Sequence, residues 1–153
     1  EDLITEDTLP GTPTYMKYKI HADANSLYNT PNAYCIYMCG KVFKWLKKMG
    51  GLEVMKERNE KKAALLYEFL DESRLFRRAV LKADRSLMNV PFLTGSAKLD
   101  AEFVKAATEA GLVNLKGHRS VGGMRASIYN AVTVEAVTAL VGFMKDFEET
   151  HKR

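Results

Sequence analysis

The residues best suited to chemistry lie together in Gly117-His118-Arg119-Ser120-Val121-Gly122-Gly123-Met124-Arg125-Ala126-Ser127-Ile128-Tyr129-Asn130-Ala131. His118, Arg119 and Arg125 fall within eight residues, with Gly122 and Gly123 between the two arginines. Arginine presents a planar fork that meets a carboxylate or phosphate with two parallel hydrogen bonds. His118 adds a donor, and a cation when protonated. Glycine lets the backbone turn to positive φ or approach a ligand closely. The chemistry this set suits is capture of a small molecule with an anion at each end: Arg119 leads a loop and Arg125 opens a strand. The same residues also suit a plain hairpin whose arginines face solvent.

A second candidate is Ser26-Leu27-Tyr28-Asn29-Thr30-Pro31. Thr30 is a good N-cap and Pro31 suits the first helical position. A helix N-terminus with free N–H groups and a hydroxyl can hold a phosphate; an ordinary N-cap is the alternative. No nucleophile, base and acid stand together elsewhere. Ser120 and Ser127 lack the nucleophile-elbow pattern, and there is no Walker loop or dinucleotide fingerprint. Cys35 and Cys39 lie four apart in an apolar stretch and read as reduced packing residues, with no zinc-spaced partners. His21 and His151 read as surface residues, and Asp71-Glu72 and Glu148-Glu149 as solvated helix ends.

The elements that must position these groups follow from period and punctuation. Pro10, Gly11 and Pro13 keep residues 1–30 irregular, with a possible strand end at Leu3-Ile4. A helix follows the Thr30-Pro31 start. Its first two turns are apolar almost all round and so read as buried, and Lys41, Lys44, Lys47 and Lys48 make its end amphipathic before Gly50 and Gly51 stop it. A second helix spans about Leu52 to Asp71, with Leu52, Met55, Ala63, Leu66, Phe69 and Leu70 as its stripe. Short strands are predicted over 75–81 and 87–93, the latter at an edge or a bulge because it contains Pro91. A helix over 98–110, strands at Val113–Leu115 and Ala126–Tyr129, and a final helix capped by Thr133 complete the order. The fold class is α/β: a small sheet packed with helices, preceded by a long connecting helix.

Composition narrows the classes. Charged residues make up 27% and hydrophobic ones 46%, the balance of a globular domain and not of a disordered one. Lysine and arginine number 23 against 19 aspartates and glutamates. The excess is spread evenly along the chain, which argues against a nucleic-acid-binding arm. No apolar run reaches the roughly 20 residues of a membrane span, and no basic-then-apolar leader opens the chain, so the expectation is no membrane and a cytoplasmic setting. The first residue is Glu1, not methionine, which suggests a piece of a longer protein.

Three segments in order, "SLYNTP" at 26–31, "MNVPF" at 88–92 and "LKGHRSVGGMRASIYNA" at 115–131, resemble the phosphoserine aminotransferase family. The text between them, such as "GGLEVMKERNEKKAALLY" at 50–67, resembles it too, so the likeness runs from about Pro13 to Glu149. The resemblance implies the fold type I architecture of pyridoxal 5'-phosphate enzymes. It also implies amino-group exchange between O-phospho-L-serine and 2-oxoglutarate, giving 3-phosphooxypyruvate and L-glutamate. That is a step of serine biosynthesis, and in some bacteria of pyridoxine biosynthesis. It further implies a homodimer with shared active sites. By resemblance, Asn29 and Thr30 match the pair that binds the cofactor phosphate of the partner subunit's site. Arg125 matches the clamp on the substrate α-carboxylate, and His118 and Arg119 match groups near the distal phosphate or carboxylate.

Two departures stand out. Asn32 takes the place of a second proline after Asn-Thr. More important, the Schiff-base lysine, the aromatic group stacked on the cofactor ring and the aspartate at its pyridine nitrogen lie upstream in the family and have no matching motif here. No catalytic residue is therefore assigned. The expected organisation is 1–30 as the end of a large cofactor domain, 31–50 as the connecting helix and 51–153 as the small C-terminal domain. Isolated, such a chain is expected to be inactive and to self-associate through the apolar helix face at 33–46. The alternative is a stand-alone anion-binding module that senses phosphoserine or a related metabolite.

Overall fold

The computed structural model describes residues 4–151, and the chain divides into two units, Glu1–Trp45 and Leu46–Arg153. The strand end suggested at Leu3-Ile4 falls partly outside the described residues, and Ile4 belongs to no strand. In the first unit a 3-10 turn at Thr14–Met16 leads into a short helix α1, Tyr18–Asp23. The His21 ring sits edge-on between the rings of Tyr15 and Tyr28, and its Nε2 lies 2.6 Å from the Tyr15 carbonyl. His21 is thus a local tie and not a free surface group.

Helix α2 spans Ala33–Lys48 and starts later than the Thr30-Pro31 reading. Asn32 caps it: its Oδ1 accepts the Cys35 N–H at 3.1 Å, as an N-cap amide oxygen does. Burial is the larger correction. No residue of α2 is buried, and Tyr34, Ile36, Tyr37 and Phe43 are all well exposed. Cys35 and Cys39 are exposed free thiols, not packing residues. The sequence asks for a covering surface that no described residue supplies.

The second unit is built on α3, Gly51–Glu72, which begins after Gly50 in the left-handed region. Met55, Ala63, Leu66, Phe69 and Leu70 face inward as expected, but Leu52 is exposed and Asn59, Lys62 and Tyr67 join the buried stripe. Three antiparallel strands follow in spatial order: β1 (Arg77–Arg78), β2 (Asn89–Leu93) and β3 (Met124–Ser127). The expected strand at Val113–Leu115 does not form; Leu115 is buried and Lys116 makes a single bridge to Met124. Helices α4 (Ala97–Glu109) and α5 (Val134–Thr150) are capped by Ser96 and, as expected, Thr133.

Pro91 lies in the central strand, not at an edge or a bulge. The ladder explains why it is tolerated. Its carbonyl accepts the Ala79 N–H, so the missing Pro91 N–H falls on the β1 side, one residue past the end of that strand. Toward β3, Pro91 faces Arg125 at a position where the pair exchanges no backbone bonds.

The core lies between one sheet face and the three helices. Val90, Phe92, Met124 and Ala126 point inward, where Phe76, Phe92, Phe103 and Phe147 form an edge-to-face cluster with centroids about 5–6 Å apart. Asn89, Pro91, Arg125 and Ser127 alternate to the other face.

Two of the acidic residues read as solvated helix ends, Glu148 and Asp71, serve as ties. Glu148 accepts from Ser73 Oγ and from the Arg74 and Leu75 N–H groups, closing the end of α3 against α5. Asp71 pairs with both Arg78 and Arg85. The Arg85 guanidinium hydrogen bond, helped by Arg78, holds the Asp71 carboxyl down at about 2. A depressed carboxyl stabilises the fold fully above its unfolded value of 3.8 and loses that contribution as pH falls toward 2. The urea midpoint of wild type should therefore exceed that of Asp71→Asn at neutral pH, with the gap closing between roughly pH 4 and pH 2. A gap that stays constant over this range would show that the ion pairs do not carry it. His151, read as a surface group, is partly buried. It stacks on Phe147 at 4.0 Å, with Nε2 3.2 Å from Glu102, and its pKa is raised by the Phe147 carbonyl and by Glu102.

Candidate functional site

Arg125 owes its direction to the pleat of β3. Met124 and Ala126 are buried to either side, so Arg125 points to the outer face and is exposed. Its N–H donates to the Leu115 carbonyl at 2.8 Å, and its side chain has no partner among the described residues. An unpaired guanidinium on a strand whose backbone is held on both sides is a fork free to meet a carboxylate. The outer face continues with a polar group. Ser127 Oγ donates to Asn89 Oδ1 at 3.2 Å, and the Tyr129 hydroxyl lies within 3.3 Å of the same Asn89 amide.

His118 and Arg119 are carried by a closed loop. The Gly117 N–H donates to the Gly123 carbonyl at 2.9 Å, and the Val121 and Gly122 N–H groups donate to the His118 carbonyl. Gly122 and Gly123 have φ of 77° and 61°. His118 Nδ1 accepts the Ser120 N–H at 3.3 Å and lies 2.7 Å from Ser120 Oγ. This assigns the proton of the neutral ring to Nε2 and leaves that N–H as an outward donor. Both His118 and Arg119 are exposed. His118, Arg119 and Arg125 thus stand on one loop-and-strand segment, closed at its neck by the Gly117–Gly123 hydrogen bond.

Asn29 and Thr30 stand in the other unit, after a turn in which Asn25 and Ser26 have positive φ. Because Asn32 caps α2, the Thr30 hydroxyl is not spent on capping, and both side chains lack partners among the described residues. They offer neutral donors suited to phosphate oxygens. Residues 24–33 contain no basic side chain, so this segment fits one part of a phosphate cradle and not a whole one.

Sequence reasoning missed Asn59 and Lys62. Lys62 is 1% exposed, and its Nζ donates to the carbonyls of Ile128 (3.0 Å) and Tyr129 (2.8 Å). Burial lowers its pKa. Asn59 Nδ2 donates to Asn130 Oδ1 at 2.8 Å, while Asn59 Oδ1 is buried with no partner. The available signal was polar residues in register with Met55 and Leu66 on an apolar helix stripe. A broad cleft lined by Ser73, Arg77, Thr94, Lys98, Glu102 and His151 contains none of these residues.

The family profile described as "Aminotransferase class-V" matches residues 7–140. The chain belongs to the class-V aminotransferase family. Among its class-V relatives, the phosphoserine aminotransferase of Nitrosomonas europaea is 53% identical over 151 residues, covering 99% of this chain and 41% of the relative. That of Laribacter hongkongensis is 56% identical over 152 residues, covering 99% and 42%. The solved phosphoserine aminotransferase of Bacillus circulans subsp. alkalophilus superposes with a TM-score of 0.89 at 47% identity, covering 97% of this chain and 41% of that one. The PLP-bound enzyme of Trichomonas vaginalis gives 0.82 at 41% identity, covering 91% and 40%. The class-V chain therefore spans about two fifths of the length of these relatives, and its α/β fold with a small sheet is theirs.

Proposed function

We propose that this chain is the C-terminal portion of a phosphoserine aminotransferase. As a whole, that enzyme exchanges an amino group between O-phospho-L-serine and 2-oxoglutarate, giving 3-phosphooxypyruvate and L-glutamate for serine biosynthesis. The observation that carries the reading is the unpaired Arg125 fork on β3, on the same segment as His118 and Arg119. Both substrates carry an α-carboxylate and a distal anion, and the segment offers cations for two anions. In this reading Arg125 orients the α-carboxylate, and His118 and Arg119 receive the distal phosphate or carboxylate. Pyridoxal 5'-phosphate, when bound, supplies the electron sink for the exchange. Asn29 and Thr30 would hold its phosphate in the partner subunit's site of a homodimer. The division into 1–30, 31–50 and 51–153 belongs to the same proposal, with α2 as connector, as do the cytoplasmic setting and the absence of a nucleic-acid partner. No helix among the described residues is long and apolar enough to cross a membrane.

The cofactor needs a reactive lysine, and a lowered pKa is the mark of one. Lys62 has the lowered pKa but not the access: it is enclosed, and its Nζ is committed to two carbonyls. The isolated chain is therefore expected to show no glutamate–phosphoserine exchange and no absorbance of a covalently held cofactor. The longer polypeptide carrying it is expected to show both. Exchange by the isolated chain would overturn the assignment of covalent chemistry to residues outside it. Absence of exchange in the longer polypeptide would overturn the function itself.

A further inference from the structure

We propose that Lys62 is a positioning residue of the carboxylate site. By holding the Ile128 and Tyr129 carbonyls from within the core, it fixes the end of β3 and so the direction in which Arg125 is presented. The proposal rests on the reading of Arg125 as the carboxylate clamp.

β3 is short, and Arg125 lies three residues before the first carbonyl that Lys62 grips. Other ties hold the strand along its length: the pairing to β2, the Arg125 N–H to Leu115, and the Ile128 N–H to the Met88 carbonyl at 2.8 Å. At the strand's end the chain must leave the sheet: among the described residues the Ile128 carbonyl gets no backbone partner there, and the Tyr129 carbonyl accepts only the Val132 N–H of the following turn, at 2.9 Å. Lys62 is the one partner of the first and ties the second back to the helix, reaching from α3 across 66 and 67 residues of sequence. Asn59, almost a turn earlier on α3, adds the bond to Asn130. The Tyr129 carbonyl belongs to the residue whose hydroxyl meets Asn89 on the outer face. Moving that carbonyl therefore moves the polar group beside Arg125 as well. A buried lysine is a costly way to satisfy two carbonyls unless their placement matters. A misplaced carboxylate clamp weakens binding of substrate and transition state alike, which raises KM and leaves kcat little changed.

The test uses the full-length aminotransferase that carries this chain. Lys62→Met keeps the apolar stem and removes the donors. The expected result is a KM for both phosphoserine and 2-oxoglutarate raised about tenfold, while kcat changes less than about threefold. Lys62→Gln keeps an N–H donor and should fall between wild type and Lys62→Met, which serves if the methionine variant does not fold. Combined with Arg125→Lys, the KM increases should multiply to less than their product, since both act through one guanidinium. A loss confined to kcat or to the folded fraction, or fully multiplicative effects, would reduce Lys62 to a structural tie and overturn the proposal. A wild-type enzyme without phosphoserine exchange would instead overturn the reading beneath it.

Discussion

With Arg125 as the proposed carboxylate clamp, Arg125→Lys in the full-length enzyme is expected to lower kcat/KM for phosphoserine and for 2-oxoglutarate by about 10²- to 10³-fold, most of it in KM. Truncating one partner of a hydrogen-bonded charge pair costs about 2–5 kcal/mol, and lysine keeps the charge but loses the planar two-point fit. The two substrates share only the α-carboxylate end in full, so their KM values should rise together. Stability should not follow. Arg125 is exposed and unpartnered among the described residues, so its replacement should change unfolding by no more than about 0.5 kcal/mol, as at other surface positions. Steady-state kinetics with each substrate, alongside thermal unfolding, check both halves. A KM that rises for one substrate alone would place Arg125 at the distal anion instead. A large loss of stability would mean that its outward pose is not the native one.

The candidate site was legible in the sequence because its signals are local. Two arginines, a histidine and paired glycines within a short run mark the segment by residue type alone, and the structure adds that the three side chains are exposed, on a closed loop and an outward strand position. The Thr133 cap and the Met55, Ala63, Leu66, Phe69 and Leu70 stripe were legible for the same reason: helical period is a short-range property. What failed was long-range. The strand at Val113–Leu115 has the right residue types, but Leu115 is spent as a core side chain and only Lys116 bridges β3. Pro91 was misplaced because its tolerance depends on where β1 stops, which the sequence of β2 cannot contain. Glu148, Asp71 and Lys62 have partners 7 to 75 residues away, so their roles as ties come only from the folded chain. The apolar first turns of α2 are a different case. Their pattern calls for burial, yet Tyr34 is 72% exposed, and relatives more than twice as long as the chain supply the reason to look for the cover beyond these residues.

The loop that carries His118 and Arg119 should be less forgiving than either residue. A Cβ built on Gly117 comes within 2.1 Å of the Gly122 carbonyl oxygen and 2.8 Å of that of Gly123. Both are backbone atoms, and the second accepts the hydrogen bond that closes the loop. Gly117→Ala must therefore open the neck, and the expected cost is about 2–4 kcal/mol, the range of overpacking in a rigid site combined with a broken backbone bond. Gly123→Ala should be comparable, because its Cβ meets the Phe92 carbonyl at 2.7 Å while φ is 61°, where a side chain is strained as well. Two controls separate crowding from strain. Gly122 has φ of 77° but open space around it, so Gly122→Ala should cost only about 1 kcal/mol. Gly142 lies inside α5 with nothing near its Cβ and no positive φ, so Gly142→Ala should stabilise by about 0.5–1 kcal/mol. Urea unfolding of the four variants orders them. If Gly117→Ala falls with Gly122→Ala, the neck can relax, and the loop would then not fix where His118 and Arg119 stand. If it falls with Gly123→Ala, the same clash that destabilises the chain should displace both side chains, and under the proposed function the full-length enzyme should lose affinity for the distal phosphate even with Arg125 intact.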